Sequence, residues 1–519
     1  MGYPRIRFNG IDFDMQAYPN SFVHINDRDF AESRSTSGIV ERLEYFDINR
    51  IKLGRNFFEN ADIEQIRAFF DYASAGASFE FWRDSEFGDA LSFENSLTTI
   101  NEKAVSTFAR ASAGYRLNPA TGFYESIATN LPRYIAGKHG YGLLLEKAGT
   151  NRCQQSDAFN TSWIAASCTV TSNVATVKDI YGTTTADLLA ISITGGGVVL
   201  TTGYTPPTST TKLCFSIFLR TASGTAEMLM IIGQNAAVIA STNITVTSEW
   251  QRFTLTVSAG LSTSFAVAIG VASNGGAMNV YASSAQLETA LYATAPIPTA
   301  GSEVTRSADR AEWTATDFLD VVNEKVTVAF WVNPLFPIND ATSPYFFVID
   351  GAVAATYCIL LGLNVSGNWS LSCRDIGNSE HVAAGSSASA LIQNQWNRVV
   401  AVIDTTVTNG LKIYCNGVLV QNSSVSPFAL SPLSGTPKIA IGGDTGSTCT
   451  GPGIYDDFRI DKTAWTANQV AEDYNSRDNA QARRNYWPAL RLRQPNFQPQ
   501  ERIGSNLFGM ELELEEVIS

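Results

Sequence analysis

Apolar and polar residues alternate along the first part of the chain with the period of two that predicts β-strands. Arg5–Phe8 and Ile11–Asp14 each place their apolar side chains on one face, as a half-buried strand does. Asn9-Gly10 between them is a strong signal for a tight hairpin turn. The same alternation predicts two further strands, at Ile48–Leu53 and Phe79–Trp82.

One segment between these strands changes to the spacing of a helix. Asp62 can cap its start, and Gln65 three residues later completes a capping pattern. Gly76 is expected to end it. Its apolar residues recur at helical spacing, at Ile63, Ile66, Phe70 and Ala73.

The stretch from 141 to 300 has the composition of a β-sandwich. Only ten charged residues occur between 155 and 300, where Thr, Ser, Ala, Val and Gly dominate. Apolar runs recur about every 10–15 residues between turn-forming residues, which is typical of a sandwich or jelly roll. The clearest runs are Lys212–Leu219, Met228–Ile232, Gln251–Val257, Phe265–Val271 and Met278–Ala282.

Residues 305–476 repeat this rhythm with a different sequence. Asn416-Gly417 marks another tight hairpin. Thr466 is expected to cap a short helix over 466–474. The predicted strands are Val326–Val332, Tyr345–Ile349, Tyr357–Leu363, Trp369–Cys373, Trp396–Ile403, Leu411–Tyr414 and Lys438–Ile441.

The remaining segments differ from both sandwiches. Residues 91–140 mix Gly, Pro, Asn and Thr, and predict a linker. In the tail, 477–519, Leu490–Arg493 continues the strand pattern. Met510–Ile518 then alternates apolar with acidic residues, as a strand with one solvated face does.

Charge and hydropathy exclude some function classes. The net charge of −13 disfavours binding to a nucleic-acid backbone, which needs clustered Lys and Arg. No stretch approaches the roughly 18 consecutive apolar residues of a membrane-spanning helix. The start, Met1–Arg5, has no apolar run typical of a signal peptide. We therefore expect synthesis in a cytoplasm and no membrane insertion.

The seven cysteines are scattered, without a CxxC or Cys/His cluster, and predict no zinc site. Most are expected to be buried free thiols within strands. A disulfide such as Cys358 to Cys373 stays open, although cytoplasmic synthesis disfavours it.

The first sandwich carries a recognisable pattern at both of its ends. Leu143–Glu146 with Thr150-Asn151 and Trp163 resembles the opening of carbohydrate-binding-like jelly rolls in phage virion proteins. Gln286–Glu288 and Pro296–Thr299 resemble the last strand and exit of such a module. The resemblance implies a jelly-roll domain over residues 141–304.

The second sandwich resembles the concanavalin A-like, LamG-type fold. Four pieces in characteristic order carry the resemblance: Val328–Val332, Trp396–Val400, Leu411–Gly417 and Ile454–Ile460. It implies a domain over residues 305–476. Lectins, adhesion modules and glycosidases all use this fold, so the fold alone does not determine the function.

The two ends of the chain, 1–90 and 477–519, together resemble small tail-associated phage proteins such as distal tail or baseplate hub components. The resemblance implies one small α+β anchor domain made from both ends, with the two sandwiches inserted. Insertion at a surface loop is tolerated when the loop ends lie close together. The expected fold is therefore mainly β.

Catalytic patterns are not evident. Glycosidases of the concanavalin A-like fold need paired carboxylates, with a Glu-x-Asp-x-x-Glu strand that this chain lacks. The closest clusters are Glu80 with Asp84 and Glu86, and Asp456-Asp457. The three histidines, His24, His139 and His381, are far apart, and no Gly-x-Ser-x-Gly accompanies them. Gly195–Gly197 lacks a phosphate-binding lysine and predicts a turn. We expect no enzyme, no catalytic residue and no cofactor.

Ligand sites are indicated only by residue type. LamG-type modules often bind calcium through acids and backbone carbonyls. The candidates here are Asp350, Asp404, Asp444, Asp456 and Asp457. Exposed aromatics can stack on sugar rings, and the candidates are Trp163, Tyr204, Trp369 and Tyr455. Trp331 and Trp396 lie within strand motifs and are predicted to be core residues.

The expected function is that of a phage virion structural protein, in a tail or baseplate. It would contact other virion proteins, form a homo-oligomer, and display the sandwiches towards host surface glycans. Two alternatives stay open: a purely structural decoration of tail or head, and a virion-associated polysaccharide depolymerase.

Overall fold

The computed structural model describes residues 107–475 apart from short gaps, and mainly the strands of the two ends. The gaps are 139–140, 207, 209–210, 261–263, 272–275, 315–323, 339–342, 352–356, 388–389, 434–436, 445–448 and 462. Most of the predicted helix from Asp62 to Gly76 lies outside the described residues, although 68–69 and 71–73 are helical. No helix among the described residues is long and apolar enough to cross a membrane.

Strands from both ends of the chain form one eight-stranded sheet, the end sheet, in the order β2-β1-β5-β34-β36-β4-β3, with β35 beside β36. The two ends meet where β5 pairs with β34 and where β36 pairs with β4. The four predicted N-terminal strands are confirmed, as are strands in the two predicted tail segments. The bounds are β1 Arg5–Phe8, β2 Ile11–Asp14, β3 Ser21–Arg34, β4 Val40–Phe58, β5 Phe79–Trp82, β34 Tyr486–Leu492, β35 Gln500–Glu501 and β36 Phe508–Glu516.

Sandwich A consists of two five-stranded antiparallel sheets. Sheet A1 has the order β12-β15-β20-β17-β18, and sheet A2 has the order β13-β14-β21-β16-β19. Alternating apolar residues of both sheets form one core, which includes Phe215, Met230, Ile269 and Leu287. The bounds are β12 Ile164–Ala166, β13 Cys168–Thr171, β14 Asp187–Ile191, β15 Gly197–Thr202, β16 Lys212–Thr221, β17 Ala226–Gln234, β18 Ala237–Val246, β19 Gln251–Ser258, β20 Phe265–Val271 and β21 Met278–Glu288.

Sandwich B consists of two seven-stranded sheets. Sheet B1 has the order β31-β30-β29-β24-β33-β10-β9, and sheet B2 has the order β28-β27-β26-β25-β32-β23-β6. Their inner faces share a core that includes Phe330, Trp369 and Phe458. The bounds are β6 Thr107–Ala109, β9 Arg133–Ala136, β10 Tyr141–Leu145, β23 Arg310–Thr314, β24 Lys325–Pro334, β25 Tyr345–Ile349, β26 Ile359–Leu363, β27 Asn368–Arg374, β28 Glu380–Ser387, β29 Asn397–Asp404, β30 Leu411–Cys415, β31 Val418–Asn422, β32 Lys438–Ile441 and β33 Gly453–Asp461.

Two short ribbons connect the sandwiches. Strands β11 (Gly149–Asn151) and β22 (Val304–Arg306) pair where the chain enters and leaves sandwich A. Strands β7 (Gly114–Leu117) and β8 (Tyr124–Ile127) form a hairpin that reaches sandwich A. The ring of Tyr124 lies 5.6 Å from that of Phe218, edge to face.

The predicted mainly β fold class is confirmed.

The prediction of a linker over residues 91–140 is wrong for the described part of that range. Strands β6, β7, β8 and β9 lie there, and β6 and β9 belong to the sheets of sandwich B. Leu143 and Leu145 of β10, expected to open the jelly roll, are core residues of sandwich B. Strand β10 pairs with β33, more than 300 residues later. Strands β9 and β10 pair with each other, but their connection to the rest of sheet B1 is long-range, so local patterns cannot assign them to that sheet.

Five buried charged side chains lie at the junction of the two sandwiches, on the chain segments that lead into and out of sandwich A. Both oxygens of Asp309 are used, one by Arg133 and one by Arg110 at 3.2 Å. Glu146 accepts from Arg133 at 2.6 Å and lies 3.5 Å from Arg306. All five are at most 2% exposed. We call this set the junction cluster.

Candidate functional site

The outer face of sheet B1 is covered by the helix α1 (Ala467–Asn475). Val470 and Trp465 pack there against Val400 and Tyr414. Thr466 caps the helix as predicted, because its hydroxyl accepts from Gln469 N at 3.3 Å. The part of sheet B1 beneath the helix is therefore a structural face.

The helix is fixed by a buried arginine. Arg398 of β29 donates to both oxygens of Asp473, at 2.7 and 3.1 Å, in the bidentate arrangement that suits a guanidinium. It also donates to the carbonyl of Asp457 at 3.0 Å. Its guanidinium lies 5.8 Å from the ring centre of Trp331. These contacts are structural, since they bury the charge of Arg398 completely.

The outer face of sheet B2 changes character from its middle to its edge. Val348, Leu360 and Ala440 form a small buried apolar group on its central strands. Leu360 faces Ser372 on β27, and Ser372 faces Val382 on the edge strand β28. Val382 is 36% exposed. The β27–β28 end of this face is therefore accessible to a ligand.

Three polar side chains meet at this accessible end. The hydroxyl of Tyr357 donates to Glu380 at 2.6 Å and accepts from Arg374 at 3.2 Å. The guanidinium of Arg374 also lies over the Tyr357 ring, at 4.9 Å from its centre. The hydrogen bond from Tyr357 lowers the pKa of Glu380, helped by the nearby Arg374 charge. Glu380 is thus an ionised acceptor beside a cationic donor. We call these three residues the B2 cluster.

A histidine lies next to the B2 cluster on the same strand. His381 Nε2 is 2.9 Å from an Asp375 oxygen. Its ring stacks on Phe428 with centres 3.8 Å apart. The hydrogen bond from His381 lowers the pKa of Asp375. The pair closes the β27–β28 turn, because Asp375 also accepts from the amide nitrogens of Gly377 and Ser379.

The arrangement of the B2 cluster suits binding of neutral, hydroxyl-rich groups. Arg374 supplies N–H donors, Glu380 supplies an ionised acceptor, and Tyr357 supplies a hydroxyl and part of an aromatic face. Such convergent polar groups at the edge of an apolar surface fix the orientation of a small ligand.

The predicted sugar-stacking residues do not form a site. Trp163, Trp369 and Tyr455 are buried. Trp163 Nε1 donates to the carbonyl of Gln155 at 2.9 Å, and Tyr455 donates to that of Gly451 at 2.6 Å. Only the fourth candidate is partly accessible, and it is occupied by another side chain.

That fourth candidate, Tyr204, is half-buried under an arginine. The guanidinium of Arg152 lies 4.3 Å from the centre of its ring. Of the two tryptophans predicted to be core residues, Trp331 is buried, under helix α1 rather than between the sheets. Trp396 is only half-buried.

The predicted calcium ligands do not converge. Asp404 accepts from Thr406 and lies 3.3 Å from Lys325. Asp457 pairs with Arg398 at 3.2 Å, and Asp456 accepts from the Asp457 amide. Within the described ranges, no three His, Cys, Asp or Glu residues form a group able to hold a metal ion. The described acids therefore do not fit a calcium site.

The other candidates are separate from one another. His24 and Glu80 lie on strands of the end sheet, whereas His139, Asp84 and Glu86 lie outside the described residues. Gly195–Gly197 precedes and begins β15, as the predicted turn requires. All seven cysteines are free thiols, including Cys358 and Cys373.

The sequence patterns missed the B2 cluster. Tyr357 belongs to the predicted strand Tyr357–Leu363 but lies just before β26, and the turn between Arg374 and Glu380 is not among the predicted turns. The available signal was the sequence Arg374–Glu380 itself, in which Gly377-Asn378 marks a hairpin turn. Residues that flank a hairpin come close together across it.

Residues 305–471 match the family model described as the concanavalin A-like lectin/glucanases superfamily. This part of the chain forms a concanavalin A-like, LamG-type domain. Strands β6, β9 and β10 complete its sheets and precede the matched range. No curated protein matches the chain.

Several solved structures match part of the chain at low similarity. The receptor-binding domain of the botulinum neurotoxin C/D mosaic serotype is 17% identical, with a TM-score of 0.26, over 33% of this chain and 40% of that one. The serotype D ligand-binding domain, solved with N-acetylneuraminic acid, is 16% identical, with a TM-score of 0.26, over 32% and 40%.

A heptameric SAP-like pentraxin from Limulus polyphemus is 15% identical, with a TM-score of 0.24, over 29% of this chain and 70% of that one. The chain thus spans about two fifths of the length of the first toxin domains it matches. At these TM-scores the similarity carries no information on what this chain binds.

Proposed function

We propose that this protein is a non-enzymatic attachment component of a phage particle, which binds host surface glycans through sandwich B. The observation that carries the proposal is the B2 cluster, on the accessible edge of a domain that matches a lectin and glucanase family. The phage setting rests on the sequence resemblances of the jelly roll and of the two chain ends.

Binding is favoured over glycoside hydrolysis by the charge state of the B2 cluster. Hydrolysis by this fold class requires one carboxyl group with a raised pKa as the proton donor, and a second carboxylate across the sugar bond. The pKa of Glu380 is lowered instead. Glu312, the buried acid further along the face, is held by Lys438 at 3.2 Å and Arg310 at 3.4 Å.

The first experiment measures binding of the full chain, presented as a multimer, to a panel of host surface oligosaccharides. We expect saturable binding, since multivalency strengthens weak single sites. Arg374→Gln and Glu380→Gln should each weaken it about tenfold, the equivalent of ~1.4 kcal/mol. Lys325→Gln, a loss of charge on sheet B1, is the matched control and should leave binding unchanged.

Two outcomes would replace this proposal by its alternatives. Absence of binding to host cells and glycans by the multimer, together with normal particle assembly, would identify a decoration protein. Release of reducing ends from host polysaccharide, abolished by Glu380→Gln or Glu312→Gln, would identify a depolymerase.

The particle setting has its own test. Labelled antibodies against the chain should decorate purified virions at the tail, and labelling of the head alone would contradict a tail location. We propose that the end sheet makes the contacts to other virion proteins and to further copies of the chain. Light scattering of the purified chain should then give a closed homo-oligomer rather than a monomer.

A further inference from the structure

A row of side chains crosses the outer face of sheet A2, on sandwich A. Arg220 of β16 faces Tyr281 of β21, and Tyr281 faces Leu188 of β14. Their sequence neighbours, such as Leu219, Val280 and Leu189, point into the core. Since successive strand residues point to opposite faces, the row lies outside.

Trp250 extends the row on the other side of Arg220. It directly precedes β19, whose first residue pairs with Leu219. The ring centre of Trp250 lies 5.9 Å from the guanidinium carbon of Arg220, within the range of a cation–π contact. One half-buried cation is thus flanked by two half-buried aromatic side chains.

Arg220 has unused hydrogen-bonding capacity. Its Nε makes a long contact of 3.4 Å to the carbonyl of Thr221. Among the described residues, no carboxylate lies within ion-pair distance of it, although Glu249 is in the same turn as Trp250. A guanidinium carries five donors in a planar fork that fits a carboxylate. In a chain with a net charge of −13, such an arginine is available for an anionic partner.

A second cation, Lys178, and the β7–β8 hairpin lie beside the row. Trp250 Nε1 donates to the carbonyl of Lys178 at 2.8 Å, which fixes the indole. The exposed Lys178 ammonium lies 5.5 Å from the ring centre of Phe123 in the β7–β8 hairpin. The neighbouring acid, Asp179, is used locally: it accepts from the Tyr181 amide at 2.8 Å and from Thr183.

The β7–β8 hairpin also covers the part of the sheet A2 face next to the row. Tyr124 covers Phe218, two residues before Arg220 on the same strand. The Phe218 half of the face is therefore closed, and Phe218 is 6% exposed. The Arg220 half is only half-buried, and Trp250 lies beside it.

We infer that the row Trp250–Arg220–Tyr281 is a second binding site, specific for a carboxylate-bearing sugar residue of an acidic glycan. The Arg220 fork would hold the carboxylate, and the aromatic side chains would contact the apolar faces of adjacent sugar rings. Lys178 adds a second positive charge at the edge. This inference rests on the proposed glycan-binding function, but it uses a different sandwich and different residues.

A sugar fits the row better than an acidic peptide. An extended peptide gains affinity from backbone pairing with a free strand edge. The row instead runs across the face of sheet A2, and the strands that carry Arg220 and Tyr281, β16 and β21, are already paired on both sides. Flat aromatic surfaces around a single anion-binding fork are suited to a ring that carries one carboxylate.

The test uses the full chain and pairs of oligosaccharides that differ only in charge: oligogalacturonate against its methyl ester, and sialyllactose against lactose. We expect at least one acid to bind about tenfold more tightly than its neutral partner. Arg220→Gln should abolish this preference, whereas Arg220→Lys should restore only part of it, because an ammonium lacks the planar fork.

Two controls separate this inference from the proposed function. Lys212→Gln removes a charge at the far end of the same strand and should leave the preference unchanged. Arg374→Gln should weaken neutral glycans at sandwich B and leave the acid preference intact. If neutral glycans bind through sandwich B without any acid preference, only the present inference fails. If the chain binds no glycan at all, both fail.

One further outcome would reassign the row. Binding of an acidic peptide that is lost in Arg220→Gln, with no acidic sugar bound, would make it a protein-contact site and overturn the sugar assignment. The urea midpoint of Arg220→Gln should stay close to that of the unaltered chain, because the substitution removes only the cation–π contact with Trp250 and no described ion pair.

Discussion

The two sandwiches are built from the chain in different ways. Sandwich A is continuous, running from β11 to β22, which pair at its entrance and exit. Sandwich B is interrupted, because β6, β9 and β10 precede sandwich A and the other strands of B follow it. The difference shows that one β-sandwich can interrupt another without disturbing either core.

The interruption explains where the buried charges lie. Arg133 and Glu146 come before sandwich A, and Arg306 and Asp309 come after it. The junction cluster therefore joins two chain segments that are more than 150 residues apart. Sandwich A needs no such buried ion pairs to hold its two ends together, because β11 and β22 pair there directly through their backbones.

The largest expected effect comes from separating the sandwiches. A fragment over 305–475 follows the family match but lacks β6, β9 and β10, and with them the core residues Tyr134, Leu143 and Leu145. We expect it not to fold. The excised sandwich A, 149–306, should fold, since its core is complete. Circular dichroism and urea denaturation of both fragments measure this difference.

A matched deletion serves as the control. Thr150 and Thr305 are paired, so an Asn-Gly turn can replace 151–304 and close a tight hairpin. The shortened chain should keep a folded sandwich B. Cooperative unfolding of the 305–475 fragment by itself would contradict the nested arrangement.

Next in size is the loss of one charge from the junction cluster. Asp309→Asn leaves Arg133 and Arg110 buried with one partner fewer, which should cost about 3–5 kcal/mol of unfolding free energy. Glu303→Gln is the control, because its pair with Arg152 is partly solvated and should contribute under about 1 kcal/mol. Equal denaturation midpoints for the two variants would count against the cluster as the link between the sandwiches.

Sequence patterns predicted much of the fold but not its connections. The period of two located strands in both sandwiches and in the end sheet, because apolar and polar residues alternate along these strands. The same period could not show that β10 belongs with β33, since pairing over long sequence distances leaves no local signal. The domain boundaries at 141 and 305 therefore do not coincide with the boundaries of the sheets.

Candidate sites were harder to predict than strands. Residue type suggested Trp163, Trp369 and Tyr455, but large aromatics in strands are most often buried, as these are. Tyr357 and Trp250 instead lie immediately beside strand ends. Exposure depends on which face a neighbouring strand or hairpin covers, and that is a property of the assembled sheet.

A smaller effect is expected at helix α1, which has no counterpart among the described residues of sandwich A. Asp473→Asn removes the bidentate partner of Arg398 but leaves Asp457 at 3.2 Å. We expect a loss of about 1.5–3 kcal/mol, the range for hydrogen bonds to charged groups. Lys325→Gln on the same sheet should change the unfolding free energy by under about 1 kcal/mol. A loss no larger than that of this control would show that packing of Val470 and Trp465 alone holds the helix.

The smallest expected effect is a difference in how the unfolding free energy depends on pH, through one buried glutamate at the junction and one in sandwich A. Burial alone would raise the pKa of Glu146, but the charges of Arg133 and Arg306 outweigh it and lower the pKa. Burial raises the pKa of Glu288 in sandwich A, where Gln286 and Thr294 offset only part of the cost. The two glutamates should therefore affect stability with opposite signs as the pH changes.

Ionised Glu146 stabilises the native state above about pH 4.3, the usual pKa of glutamate, and this contribution is lost as the pH falls through its lower native pKa. Glu288 ionises more readily in the unfolded chain, so it destabilises the native state as the pH rises above about 4.3. Urea denaturation between pH 3 and 7 measures both effects, each limited to about 1.4 kcal/mol per pH unit. The advantage of the unaltered chain over Glu146→Gln should grow with pH, and that over Glu288→Gln should shrink. Parallel pH curves for the two variants would mean that the junction cluster does not hold Glu146 ionised.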